Sequence, residues 1–197
     1  RGWIQVKDEL GRETLDCGGC RVFAVADHQV AHIYINDDVI RDEVIELLEG
    51  IEGVEEVRVA AEMWGEGVAT ERAGDLIAVA ASDAWFTYYY WEDDNKAPDF
   101  ARCIDIHRKP GYDPVELFID PKIRFPLLSI AWFLLKKKLG FKALMKVISQ
   151  DASLVKGSHG RIPEDPLDWP VLIAPAGAAL PAQIASTDVY GRIAQGF

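Results

Sequence analysis

The apolar run Val22-Phe23-Ala24-Val25-Ala26, broken off at Asp27-His28, constrains this chain most. Five apolar residues ending on a polar pair read as a short strand buried on both faces, the kind that parallel sheets contain. A second strand, His32-Ile33-Tyr34-Ile35, follows within a few residues. Asn36, Asp37 and Asp38 then offer helix N-caps, and Val39, Ile40, Val44, Ile45, Leu47 and Leu48 recur at helical spacing until Gly50 and Gly53 stop the helix. Val54, Val57 and Val59 predict a third strand, and the run Asp75 to Ala81 a fourth. Strands alternating with helices predict an α/β or mixed-sheet architecture.

Beyond Ser82 the pattern changes. Aromatics crowd together at Trp85, Phe86, Tyr88, Tyr89, Tyr90 and Trp91, and Lys109-Pro110-Gly111 marks a turn. The stretch 125–149 is strongly apolar at its start and then carries Lys136, Lys137 and Lys138. It is too short in apolar residues to span a bilayer and reads as a buried or partly covered helical element, with a membrane-surface helix as the other reading. The Pro- and Ala-rich tail turns strand-like again near Thr187–Tyr190.

A chain of 197 residues suffices for one well-cored domain or one and a half. Lys and Arg total 21 against 32 Asp and Glu, a formal net charge of −11. That balance argues against nucleic acid as the main partner and against attraction to anionic headgroups. Three cysteines are too few for a disulfide scaffold. Cys17-Gly18-Gly19-Cys20 has zinc or redox spacing, but no second pair completes a zinc ribbon, and the strand follows the motif instead of preceding it. Incidental thiols fit better. His32 alternates into a strand and reads as structural.

Three other histidines sit beside groups that suit chemistry. Asp27-His28 closes the first strand, and strand C-termini are where open α/β sheets bind ligands. A carboxylate and an imidazole there can turn toward one divalent metal, or form a solvated turn. His159 lies in Lys156-Gly157-Ser158-His159-Gly160, where flanking glycines permit close backbone approach. It reads either as a ligand or as part of a surface turn. Asp105 and His107 point the same way in an extended segment, and Arg102, Arg108 and Lys109 beside them would suit an anionic substrate. A hydrogen-bonded loop pair is the plainer alternative.

Taken in order, these features resemble the C-terminal half of the alkaline phosphatase superfamily, nearest its type I phosphodiesterase/nucleotide pyrophosphatase branch. The family's Ser-Asp-His-Gly-type motif is matched by Val25-Ala26-Asp27-His28-Gln29, with Gln29 standing where the family has Gly, a residue that reaches positive φ more cheaply. Its Gly-x-His-Gly loop is matched by Gly157-Ser158-His159-Gly160. The family's strand, helix and strand after the first motif are matched by residues 32–36, 39–50 and 51–59, and its closing elements by 186–190. The resemblance implies an alkaline phosphatase-like core sheet flanked by helices, carried by 1–60 and 156–197, with 61–155 as a substrate-side insertion.

It further implies a two-metal site, usually zinc. Asp27 and His28 would be ligands of the metal that activates the nucleophile, and His159 a ligand of the second. Asp105, His107 and Arg108 are left as substrate-pocket candidates. The implied activity is hydrolysis of a phosphodiester or nucleotide pyrophosphate, with the same superfamily's phosphomonoesterase and phosphotransferase reactions as variants. No residue before Asp27 matches the family's nucleophile or its remaining ligands, so an N-terminal half of the same protein is expected to supply them. The rival expectation is a non-catalytic α/β interaction domain that binds a lipid or protein partner through the aromatic 85–91 patch and the 125–149 helix.

Overall fold

The computed structural model describes residues 1–64, 72–104 and 108–196. They fall into two compact units, Arg1–Arg161 and Ile162–Phe197.

The first unit is built on a mixed sheet of strands β3 (Val22–Asp27), β4 (Val30–Ile35), β5 (Val54–Val59), β6 (Leu76–Ala80) and β7 (Gly111–Tyr112), in the order β5-β6-β4-β3-β7. A separate hairpin joins β1 (Val6–Glu9) to β2 (Arg12–Leu15). Neither of its strands is apolar enough to announce itself in the sequence. Helix α1 (Arg41–Glu49) follows a single 3-10 turn whose N-cap, Asp37, accepts the Val39 N–H. Helix α2 (Ala60–Trp64) follows β5 directly.

The sheet is mostly antiparallel. β3 pairs with β4, β4 with β6, and β6 with β5 in that sense, and only β3 and β7 run parallel. The strand covered on both faces is therefore β6, not β3. All five residues of β6 are buried. Leu76 and Ala78 join Val22, Ala26, Ile33, Ile40 and Val44 on the α1 face, while Ile77 and Val79 pack with Ala60 and Met63 on the other. In β3 only Val22 and Ala26 are buried. Its outer side is paired by just two residues of β7, so most of its length is a sheet edge.

β7 depends on one glycine. Gly111 has φ +115, and a Cβ there would lie 2.0 Å from the Ala26 carbonyl oxygen. The close parallel bridge to β3 excludes any side chain at that position.

The aromatic run packs. Tyr88 and Trp91 are buried with Ala97, Phe100 and Ala101. Helix α3 (Pro126–Lys138) is shorter than the sequence suggests, and none of its residues is buried. The expected buried or partly covered helical element is covered along one stripe, where Pro126, Ile130 and Phe133 are half-buried, but it ends at Lys138 and does not run on to 149. Gly140 takes a positive φ just past the helix end, and beyond it Lys146 and Ile148 form isolated bridges to Cys103 and Ile119.

In the second unit the strand expected at Thr187–Tyr190 is a helix, α4 (Ser186–Gln195). Asp188 sits in its first turn, Arg192 in its last, and Gly196 closes it at φ +80. These terminal signals outweigh the β propensity of Thr187, Val189 and Tyr190.

Candidate functional site

Asp27 pairs with Val30 across an antiparallel hairpin, so His28 and Gln29 form its two-residue turn. The pair thus occupies a tight turn, not the open C-terminal edge of a parallel sheet. Two-residue hairpin loops require positive φ, and here His28 supplies it, at +58. Gln29 carries no such strain. Its side chain is buried and its amide nitrogen donates to the Ala81 and Ala84 carbonyls at 3.2 and 3.1 Å.

The backbone of the turn is used as fully. The His28 carbonyl accepts the Phe86 N–H at 2.8 Å, the Gln29 carbonyl accepts the Ala80 N–H at 2.9 Å, and the Gln29 N–H donates to the His159 carbonyl at 2.9 Å. That last bond brings the 157–160 loop onto the hairpin. Gly160, at φ +117, lies against Val30 and the Gln29 nitrogen, where a Cβ would come within 3.2 Å of Val30 Cγ2.

The side chains converge in the same place. The His28 and His159 rings stack with centroids 3.9 Å apart, and the Tyr112 ring stacks on His28 at 4.9 Å. Tyr112 is there because β7 registers it against Asp27. Ser158 Oγ, 130 residues away in the chain, hydrogen-bonds His28 Nδ1 at 3.0 Å. The hydroxyl can donate to a bare Nδ1 or accept from a protonated one. His28 Nε2 lies 3.8 Å from Asp27 Oδ1.

His28 is buried, whereas the Asp27 side chain is 66% exposed. Desolvation holds the His28 pKa below its ordinary value, the neighbouring His159 adds to this, and Asp27 opposes it. The shift favours the neutral imidazole, the form in which its ring nitrogens can ligate a metal or accept a proton.

These residues line an open cavity of about 690 Å³, with Lys156 and Gly157 on one side and Pro114, Leu117 and Phe118 on another. Asp27, His28 and His159, the three ligands expected from the sequence, thus come together. Their donor types are those of a zinc site, and the Ser158 hydrogen bond to Nδ1 is the kind of second contact that fixes a ligating imidazole. Among the described residues, however, no group of three or more His, Cys, Asp or Glu side chains is gathered closely enough to hold an ion. The stacked rings present faces to each other, not nitrogens to a common point.

The pocket candidates fare differently. Asp105 and His107 lie outside the described residues. Arg108 pairs with Asp99 at 2.7 Å, lies over the Phe100 ring, and does not line the cavity. Its neighbours are also engaged, Arg102 with Asp120 and Lys109 with Glu116 at 2.5 Å. Each of these three cations thus has a carboxylate partner within the protein.

Lys109 belongs to a buried cluster that the sequence pattern did not single out. Its side chain and those of Asp113 and Glu116 are almost wholly excluded from solvent. Burial drives the Asp113 carboxyl above its usual range. Asp113 Oδ1 also accepts the Val115 N–H at 3.0 Å, capping the 3-10 turn Pro114–Leu117. The cluster brackets Tyr112 on both sides in sequence and anchors the segment that presents it.

No protein-family model, no curated protein and no solved structure matches this chain.

Proposed function

We propose that this chain carries one side of the active site of a metal-dependent phosphoric ester hydrolase, of the phosphodiesterase or nucleotide pyrophosphatase type, on an alkaline phosphatase-like core. What supports it is the meeting of two distant motifs. The Asp27-His28 turn and the Gly157–Gly160 loop share a wall of one cavity, joined by the Gln29–His159 backbone bond and by the stacked imidazoles.

Divalent cations, zinc in the resembled family, would supply Lewis-acid polarisation of the phosphoryl oxygens; Asp27, His28 and His159 have the donor types for them, but the His28 and His159 rings would have to leave their stack to serve as ligands. The other contributions belong to the chain itself. Ser158 fixes the rotation of the His28 ring through Nδ1, and Tyr112 supports the ring from β7. Lys156 brings a cation to the cavity rim, where a phosphate would be attracted. Pro114, Leu117 and Phe118 supply an apolar wall suited to the leaving-group side of an ester. The nucleophile and the remaining donors are assigned to a portion of the protein outside these residues.

The test is zinc stoichiometry together with hydrolysis of a nitrophenyl phosphodiester, measured on the complete protein with and without His159→Ala. Both should fall sharply, turnover by about a hundredfold or more. Hydrolysis that survives His159→Ala unchanged would overturn the proposal.

A further inference from the structure

A helix on a protein surface ordinarily turns its apolar stripe inward and its polar side to water. Helix α3 is apolar on both sides. Pro126, Ile130 and Phe133 form a half-buried stripe, with Ile130 against the Val115, Val147 and Ile148 cluster. At about 100° per residue, Leu128, Trp132 and Leu135 fall on the side away from that stripe, and Leu127 and Leu134 lie along its flank. All five are exposed, Leu127 at 78%, Leu128 at 69% and Trp132 at 56%. Beyond the helix end Leu139 and Phe141 are exposed as well.

The charge around this face is just as uneven. Between Pro121 and Gln150 the chain has seven Lys and Arg and no Asp or Glu, in a protein whose net charge is −11. Cations sit at both ends of the helix. Arg124 lies over the Phe125 ring and Lys136 over Trp132, and Lys137 and Lys138 end the last turn. Among the described residues no helix is long and apolar enough to cross a membrane. The α3 face is suited to lying on one.

We infer that α3 is a membrane-surface helix that docks the protein on an anionic phospholipid bilayer. Its leucines and Trp132 enter the headgroup–acyl boundary, while Lys136, Lys137, Lys138 and Arg124 meet the lipid phosphates. The segregated charge favours this occupant over a protein groove. The basic strip is drawn to an anionic surface and the acidic remainder is pushed away from it, which orients the molecule. The overall acidity that argued against anionic lipid is therefore a property of the rest of the chain.

The experiment is cosedimentation of the full chain with vesicles of phosphatidylcholine alone and of phosphatidylcholine mixed with phosphatidylserine. Binding should be about tenfold tighter or more to the anionic vesicles and should weaken with added salt. The double change Leu128→Glu, Trp132→Glu should abolish it. The outward positions of these residues leave the Ile130 contact intact, and circular dichroism checks that the fold persists. The triple change Lys136→Glu, Lys137→Glu, Lys138→Glu should remove the preference for phosphatidylserine. Failure to bind anionic vesicles, or binding indifferent to both variants, would overturn the inference. So would self-association that Leu128→Glu, Trp132→Glu abolishes without any lipid effect, since it would give the face to a second copy of the chain.

Discussion

Strand β6 and helix α3 are both strongly apolar, and they meet opposite fates. β6 contributes Leu-Ile-Ala-Val-Ala, and every residue is buried. α3 opens with Pro-Leu-Leu-Ser-Ile-Ala-Trp-Phe-Leu-Leu, and none is. β6 sits inside the sheet between β5 and β4, with a helix-bearing face on each side. α3 touches the body along one narrow stripe. Apolarity states that a segment must be covered, and topology decides whether the same chain does the covering.

Truncating a side chain on each of the two elements should have very different effects. Ile77→Ala empties a fully buried site and should cost about 3 kcal/mol in urea denaturation. Leu134→Ala, at an exposed position on α3, should cost less than about 0.5 kcal/mol. Comparable losses would mean that α3 is covered within the molecule after all. A smaller effect is expected at the site, where Gln29→Ala deletes the donor shared by the Ala81 and Ala84 carbonyls. It should cost about 1–2 kcal/mol and disturb the His28 and His159 ring signals in an NMR spectrum. Stability lost without any change at those rings would separate the turn from the site.

The smallest effect is at the entrance to α1 and depends on pH. The Arg21 guanidinium, and after it the Val39 N–H, hold the Asp37 carboxyl below its usual range. A carboxylate lowered on folding stabilises above its unfolded pKa, and that stabilisation disappears as pH falls through the folded value. The gap in urea midpoint between the wild type and Asp37→Asn should therefore be present at neutral pH and close in acid. A gap that widens in acid would show the sign to be wrong.

What the sequence made readable was local. β3, β4, α1, β5 and β6 each carry their own periodicity and stop signals, and all five were expected where they stand. The β1–β2 hairpin was invisible because Val-Lys-Asp-Glu and Arg-Glu-Thr-Leu keep one apolar residue each. The two-residue β7 exists only through its pairing with a strand some 85 positions earlier, at Ala26 and Asp27.

The site divides the same way. Asp27, His28 and His159 stand out because of their side-chain chemistry and their neighbours. Tyr112, Ser158 and Gln29 act through distant partners, which no window along the chain contains. Gln29 looked like a departure from a glycine pattern, whereas the positive φ falls one residue earlier, at His28, and the glutamine amide is spent on tying down the turn. The pairing of Arg108 with Asp99 is another such contact, made across nine positions of the chain.

The parallel bridge between β3 and β7 has a consequence for the order of events when this protein is made. The cavity needs residues 27–28, then Tyr112, then 156–160, and each addition closes a long loop against chain entropy. A ribosome that has released β3 and β4 has released a hairpin whose outer edge is bare. That edge waits for Gly111, and the imidazole pair waits longer still for His159. On a growing chain the His28–His159 stack is the last of these contacts to become possible, and a chain interrupted before His159 would hold the β3–β4 hairpin without it.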